Sequence, residues 1–427
     1  MSLLSLPRCG MGTAGIGNLY APVRDRTADE TVAAALAAGF LYFDTAPYYG
    51  FGLAERRLGD ALAAHDPERC AIVSTKVGRL LVPAESPASE RHGFVDGDPF
   101  QPAFDYGYDA VLRSHESSLR RLRRDRVEIL LAHDLGALTH GDQASRHMAD
   151  FLGGGYPAMV ELRDGGAVDA IGIGVNEVEV AAFLLERIEL GVILLAGRYS
   201  LLDRGALPLL DLCAGKGVKL IVGGPYNSGI LAAPVADGEP AHYDYRPASP
   251  SIRARAVALE TLCGNYGVPL PAAALQFPLR HPAVACVIPG LVGADQVTEA
   301  AERLAADVPE GLWEKLAHAP PPCSCQAAAD KLILLNEADN VLVCVAPIAA
   351  GELLLVDGGA LAAREAIPVG HKIARTALEA GSKVLKHGAP IGSVTRAVEA
   401  GAWVHTHNMK SDYIASHTRK SLAEGTG

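Results

Sequence analysis

Rhythm is what most constrains this chain. Through about residue 318, short apolar runs near residues 8–13, 40–44, 71–76, 127–132, 168–174, 192–196, 218–222 and 284–288 alternate with longer amphipathic stretches, such as 27–38, 109–123, 177–187 and 252–266. Strands that alternate with helices read as βα units and a parallel sheet. Eight such units are the number that closes into a barrel. The expected fold of residues 1–318 is therefore α/β, a (β/α)8 TIM barrel, with its chemistry at the loop mouth where the strands end. The segment 79–106, rich in Pro, Gly and Asp, is the longest insertion and is expected to overhang that mouth as a substrate loop.

The rhythm then breaks. Residues 319–330 are proline-rich and read as a stiff linker, because consecutive prolines remove backbone donors and disfavour helix. Beyond them, short strand-like runs at 331–335, 341–345, 352–356 and 403–407 are separated by Gly- and Pro-marked turns. Residues 331–408 are thus expected to form a small β-rich domain, with 409–427 a polar tail. No internal repeat or low-complexity tract is apparent.

Composition narrows the possibilities. Hydrophobic content of 49% suffices for a sizeable core, and a net charge of −11 argues against a nucleic-acid footprint. No run of eighteen apolar residues is present to suggest a membrane span. The first residues lack the basic start of a signal peptide, so a cytoplasmic location is expected. The 8 cysteines are scattered, only Cys323 and Cys325 lying close together, and read as buried thiols in a reducing compartment.

Four residues stand out as chemistry. Asp44 closes the second apolar run and Tyr49 follows it on a loop bounded by Pro47 and Gly50. Lys76 closes the third run and His133 the fourth. Taken singly, each has an ordinary reading as a cap, a packing residue, a surface lysine or a core histidine. Together they make a set. A lysine ammonium beside a phenol favours the phenolate, and a carboxylate holds that lysine in place and charged. The tyrosine then exchanges a proton with a carbonyl or an alcohol, while a neutral histidine orients the reacting oxygen.

The run from Phe43 through Asp44-Thr45-Ala46-Pro47-Tyr48-Tyr49-Gly50 to Gly59, with Arg113 to Leu122 and His133-Asp134, resembles the aldo-keto reductases. It is similar in particular to the branch holding D-threo-aldose (L-fucose) and pyridoxal dehydrogenases. The resemblance implies a nicotinamide dinucleotide at the mouth and Asp44, Tyr49, Lys76 and His133 as catalytic residues. It implies Asn176 at the carboxamide, Tyr199 stacked on the nicotinamide, and Gly223, Gly224, Asn227 and Gly229 in the pyrophosphate loop. Gly290, Gln296 and Glu299 fall in the adenosine-binding region. Val292 stands where NADP-selective members carry a cation for the 2′-phosphate, which favours NAD over NADP, with Arg303 as the alternative phosphate partner.

In the smaller unit, a strand over 403–408 places His405 and His407 on one face, since strand side chains alternate. Paired imidazoles either ligate a metal or bond a carboxylate. With Gly370-His371-Lys372, Ala338 to Val341 and Gly388 to Gly392, this run resembles the SAF (β-clip) domain of altronate and galactarate dehydratases. That resemblance implies the small component of a sugar-acid dehydratase, completed by a separate large subunit and a divalent metal, with His371, His405 and His407 as weak metal candidates. The two resemblances together imply oxidation of an aldose at C1 to the aldonolactone, followed by dehydration of the aldonate. The alternative is an aldehyde or pyridoxal oxidoreductase whose second unit only docks a dehydratase.

Overall fold

The computed structural model describes residues 5–85, 87–233, 241–244, 246–318, 331–336, 338–356 and 359–412. The chain divides into two units, Met1–Ala319 and Pro320–Gly427. The expected linker, with Cys323 and Cys325, and residues 413–427 of the expected tail lie outside the described residues.

In the first unit all of the expected strands form. They are β1 (Met11–Gly12), β2 (Tyr42–Asp44), β3 (Ile72–Val77), β4 (Ile129–His133), β5 (Ala170–Val175), β6 (Val192–Ala196), β7 (Lys219–Gly223) and β8 (Val284–Ile288), paired in parallel in that order. Bridges from Cys9 to Val287 and from Gly12 to Gly290 join the first strand to the last and close the ring. The period-two rule sorts the side chains. Tyr42, Ile129, Leu131, Val192, Leu194, Ile221, Cys286 and Ile288 fill the interior of the barrel. Their neighbours Leu130, Ala132, Ile171, Ile173, Ile193 and Leu195 face the helical layer.

The insertion after β3 folds back as two hairpins, Arg79–Pro83 with Phe100–Phe104 and Glu90–Arg91 with Phe94–Val95. Its tip bridges Leu19 through Phe94, and the buried Phe94 ring lies 6.3 Å from the ring of Tyr49. The insertion therefore does border the mouth.

The second unit is all β among its described residues. One sheet orders Leu332–Ile333, Val341–Cys344, Lys372–Ala374 and Trp403–Val404; another orders Lys383–Lys386, Ala389–Val394 and Met409–Lys410. Met409–Lys410, read from the sequence as the start of the tail, thus belongs to a sheet, and Asp412 bonds Lys383 and Ser393.

A repeat that the sequence did not reveal is visible here. The stretches Ile348-Ala349-Ala350-Gly351, Ile367-Pro368-Val369-Gly370, Leu378-Glu379-Ala380-Gly381 and Val398-Glu399-Ala400-Gly401 each end in a glycine at positive φ, between 79° and 89°. Their apolar leaders pair as Ile348 with Ile367 and Leu378 with Val398. The first pair sits in a core with Leu342 and Ile373, the second in another with Val341 and Ala374. The two strands 341–344 and 372–374 feed one core from each face.

Among the described residues no helix is long and apolar enough to cross a membrane. Cys9, Cys213, Cys263, Cys286 and Cys344 are buried free thiols and Cys70 is exposed.

Candidate active site

The C-terminal ends of β2, β3 and β4 carry Asp44, Lys76 and His133 to one place, and the turn after β2 returns Tyr49 over them. Register does the work: Asp44 pairs with Ser74 and Lys76 with Leu131, so the strand ends are staggered around one corner of the mouth. The Lys76 ammonium donates to Asp44 Oδ2 at 2.6 Å, to the Thr45 carbonyl at 2.9 Å and to Tyr49 Oη at 3.1 Å. An ammonium has three donors, and all of them are used. Asp44 also accepts from Ser74 Oγ at 2.7 Å, and Ser74 in turn accepts from the Tyr42 hydroxyl at 2.8 Å. Asp44 is 2% and Lys76 1% exposed, so this is a buried, fully bonded ion pair. The His133 ring meets the Tyr49 ring edge-on at 5.9 Å.

The electrostatics correct one expectation. Lys76 was expected to make Tyr49 acidic. Instead, burial pushes the Tyr49 phenol well up, Asp44 and Asp134 add to that, and Arg79 opposes them. Desolvation of the phenol is the largest effect and outweighs the ammonium that donates to it. Burial pulls the Lys76 ammonium down, with Asp44 opposing. Burial, then Arg79 and Lys76, hold the His133 imidazole well below its ordinary value, so it is neutral as expected.

Sequence reasoning left out a second ion pair at the same corner. Arg79, 5% exposed, pairs with Asp134 and lies 4.2 Å above the Tyr48 ring. Asp134 Oδ2 lies 3.6 Å from His133 Nε2. The backbone of Asp134 is left-handed, with φ 41°. Its N–H donates to Gly174 at 2.9 Å, and its carbonyl accepts from the Tyr106 hydroxyl at 2.7 Å and His140 Nε2 at 2.8 Å. Gly78, at φ 100°, aims Arg79 inward; a Cβ there would stand 2.0 Å from the Tyr106 ring. The signal was adjacency: Arg79 follows Lys76 by three positions and Asp134 follows His133 directly.

The residues expected to meet a dinucleotide divide into two groups. Gly224 (φ 61°) and Gly229 (φ 102°) have left-handed backbones, and a Cβ on Gly229 or Gly290 would meet nothing within 4 Å. Open backbone of this kind fits close approach by phosphate oxygens. Gly223, by contrast, is packed against Ala196 and Leu194. Asn176 directly follows β5, beside the mouth, and its carbonyl accepts from Arg198 Nε at 2.8 Å.

Two of the expected cofactor ligands also have partners within the barrel. Tyr199 is 5% exposed and packs against Phe277 at 5.3 Å and His281 at 6.1 Å. The Asn227 side chain bonds Ser200 and the Gly197 carbonyl, so it braces its loop. Gln296 accepts from the Val292 N–H at 3.0 Å, shaping the loop expected to hold the adenosine, and Glu299 pairs with Arg303 at 2.7 Å.

In the second unit the strand expected over 403–408 stops at Val404. Asn408 closes a turn instead: its N–H donates to the His405 carbonyl at 3.0 Å, and its side-chain oxygen accepts from the His405 N–H at 2.9 Å. Period-two alternation therefore does not govern His405 and His407. Their rings are 6.5 Å apart, whereas His371 and His405 are 4.8 Å apart, both beside Trp403. Partial burial, then His371, Lys372 and His407, lower the His405 imidazole. Among the described residues no group of three or more His, Cys, Asp or Glu is arranged to hold a metal.

A closed parallel barrel with a buried Asp–Lys–Tyr–His corner at its mouth defines an oxidoreductase site of the aldo-keto reductase kind. Residues 8–317 match the model of the aldo/keto reductase family, and the chain belongs to that family. Residues 330–412 match the altronate/galactarate dehydratase SAF domain. The chain is 40% identical to a pyridoxal 4-dehydrogenase of Microbacterium luteolum, over 73% of this chain and 94% of that protein. It is 36% identical to a D-threo-aldose 1-dehydrogenase of a Pseudomonas species, over 74% and 94%. The second unit is 36% identical to altronate dehydratase of Escherichia coli strain K12 over 80 residues, 19% of this chain but only 16% of that enzyme. A solved aldo-keto reductase from Bacillus halodurans in its holo form superposes with a TM-score of 0.57 at 25% identity, covering 74% of this chain and 94% of that one.

Proposed function

We propose that the barrel oxidises an aldose at C1 to the aldonolactone. The observation that carries this reading is the buried Lys76 bridging Asp44 and Tyr49 at 2.6 and 3.1 Å, at the mouth of a chain similar to a D-threo-aldose dehydrogenase. A nicotinamide dinucleotide, when bound, supplies the hydride acceptor. The chain's own residues hold the sugar oxygen and move its proton. His133, being neutral, orients the anomeric hydroxyl, and Tyr49, as the phenolate, takes its proton and becomes the phenol as the C1 hydrogen departs with its electron pair. Lys76 fixes the phenol oxygen and Asp44 fixes Lys76. Val292 in place of a cation, together with the Glu299 carboxylate that pairs with Arg303, favours NAD over NADP, because a 2′-phosphate would find no cation at 292 and Arg303 already engaged.

The second unit is proposed to hold the carboxylate of a sugar acid for a dehydratase large subunit. His371 and His405 lie 5.0 and 5.3 Å from the Trp403 ring and 4.8 Å from each other, with the partly buried Lys372 next in the chain to His371, a cluster of hydrogen-bond donors suited to an anion. A divalent ion at this cluster requires further ligands from that partner. A second reading, an aldehyde or pyridoxal oxidoreductase whose second unit only docks a dehydratase, draws on the 40% identity to pyridoxal 4-dehydrogenase. A screen of L-fucose, D-arabinose, other aldoses and pyridoxal with NAD and NADP tests both readings. Turnover of pyridoxal alone would sink aldose oxidation.

A further inference from the structure

We propose that Asp134 and Arg79 read the hydroxyl on the carbon next to the reacting one, so that the barrel selects 2-hydroxy aldehydes and aldoses over their 2-deoxy counterparts. The proposal rests on the reading that the reacting oxygen sits between Tyr49 and His133. Oxygens on neighbouring carbons stand about a hydrogen-bond length apart when gauche. An oxygen bonded to His133 Nε2 therefore brings its vicinal neighbour within reach of Asp134 Oδ2, which is 3.6 Å from that nitrogen. The neighbouring hydroxyl donates a hydrogen bond to that carboxylate. Arg79 Nε, buried and without a partner among the described residues, supplies a donor beside it.

The surroundings hold this pair rigidly. Arg79 is clamped between the faces of Tyr48 and Phe104, at 4.2 and 5.7 Å. Asp134 keeps an uncommon left-handed backbone, with its own N–H and carbonyl both bonded. A non-glycine residue in that conformation persists only when its neighbours over-determine it, and such residues cluster at functional sites. A purely structural ion pair has no need to stand beside the nitrogen that orients the substrate.

The test uses the full chain with two substrate pairs: an aldose against its 2-deoxy analogue in oxidation, and lactaldehyde against propanal in reduction. The wild type should favour the hydroxylated member of each pair by roughly 10–100-fold in kcat/KM, the range expected of a hydrogen bond to a charged group. Asp134→Gly, which suits the left-handed backbone, should shrink that ratio to about 3-fold by lowering the hydroxylated member far more than the plain one. Arg79→Met should shrink it in the same direction. Equal losses on both members would make the pair a scaffold only and overturn the proposal. So would a wild-type ratio near one, which needs no variant at all. If no aldose is oxidised but the lactaldehyde ratio behaves as stated, hydroxyl reading stands and the C1-oxidation reading falls.

Discussion

The barrel mouth and the second unit treat their polar side chains in opposite ways. At the mouth, Asp44, Lys76 and His133 are buried, and every Lys76 donor has an acceptor inside the same unit. In the second unit His371 and His405 are only half-buried and His407 is exposed, around an indole whose N–H is buried without a partner among the described residues. Buried charges that satisfy one another mark a site that is complete within its own fold. Half-exposed imidazoles beside an indole N–H with no partner among the described residues mark a surface whose donors are still to be used. The contrast also follows from size, since residues 330–412, split between two small cores, leave little interior in which to hide a charge.

That contrast can be broken most directly at Tyr49. Tyr49→Phe should lower kcat for oxidation by ~10²–10⁴-fold while a fluorescence titration shows dinucleotide binding retained. Activity that persists would end the claim that the mouth is complete. Next comes stability. Lys76→Met strands a buried carboxylate and should cost ~3–5 kcal/mol in thermal or denaturant unfolding. His407→Ala, on the exposed side of the contrast, should cost no more than ~0.5 kcal/mol.

The second unit is tested by mixing the full chain with dehydratase large subunits and measuring aldonate dehydration. His405→Ala should lower that partner-dependent rate by about 10–100-fold with the complex still forming. An unchanged rate would make the unit a docking module. The pH profile sharpens the description of the mouth. Oxidation needs the phenolate, and burial with Asp44 and Asp134 raises the Tyr49 phenol above its ordinary value of ~10. The deprotonated fraction is therefore small at neutral pH and grows with alkalinity. kcat/KM for oxidation should climb by up to about tenfold per unit through that range, while aldehyde reduction, which uses the phenol, stays level. His133 is held neutral, so no acidic limb should appear near ~6.5. Smallest of all, Val292→Arg should raise use of NADP relative to NAD by about tenfold.

How much of this was legible in the sequence depended on the distance over which each feature is decided. Asp44, Lys76 and His133 terminate apolar runs, so the strand that buries each residue also announces it. Tyr199 and Asn227 also follow strands, but their roles are set by Phe277 and Ser200, which come from other parts of the fold. Arg79 and Asp134 sit beside recognised residues, yet each has meaning only through the other, 55 positions away. The His405 and His407 inference assumed a strand that Asn408 cuts short with a side-chain bond to the backbone. The fourfold repeat went unseen because four residues are too few to stand out until the bridges pair them.

The bonding of Lys76 also has a chemical consequence. Open-chain sugars and pyridoxal condense with free amines, and a lysine at the mouth of an aldehyde-handling enzyme would seem the first casualty. An ammonium pinned by three acceptors and 1% exposed has no lone pair to offer. The same contacts that hold the phenol thus shield Lys76 from condensation with aldehydes, and any imine trapped by borohydride should map to lysines outside the barrel mouth.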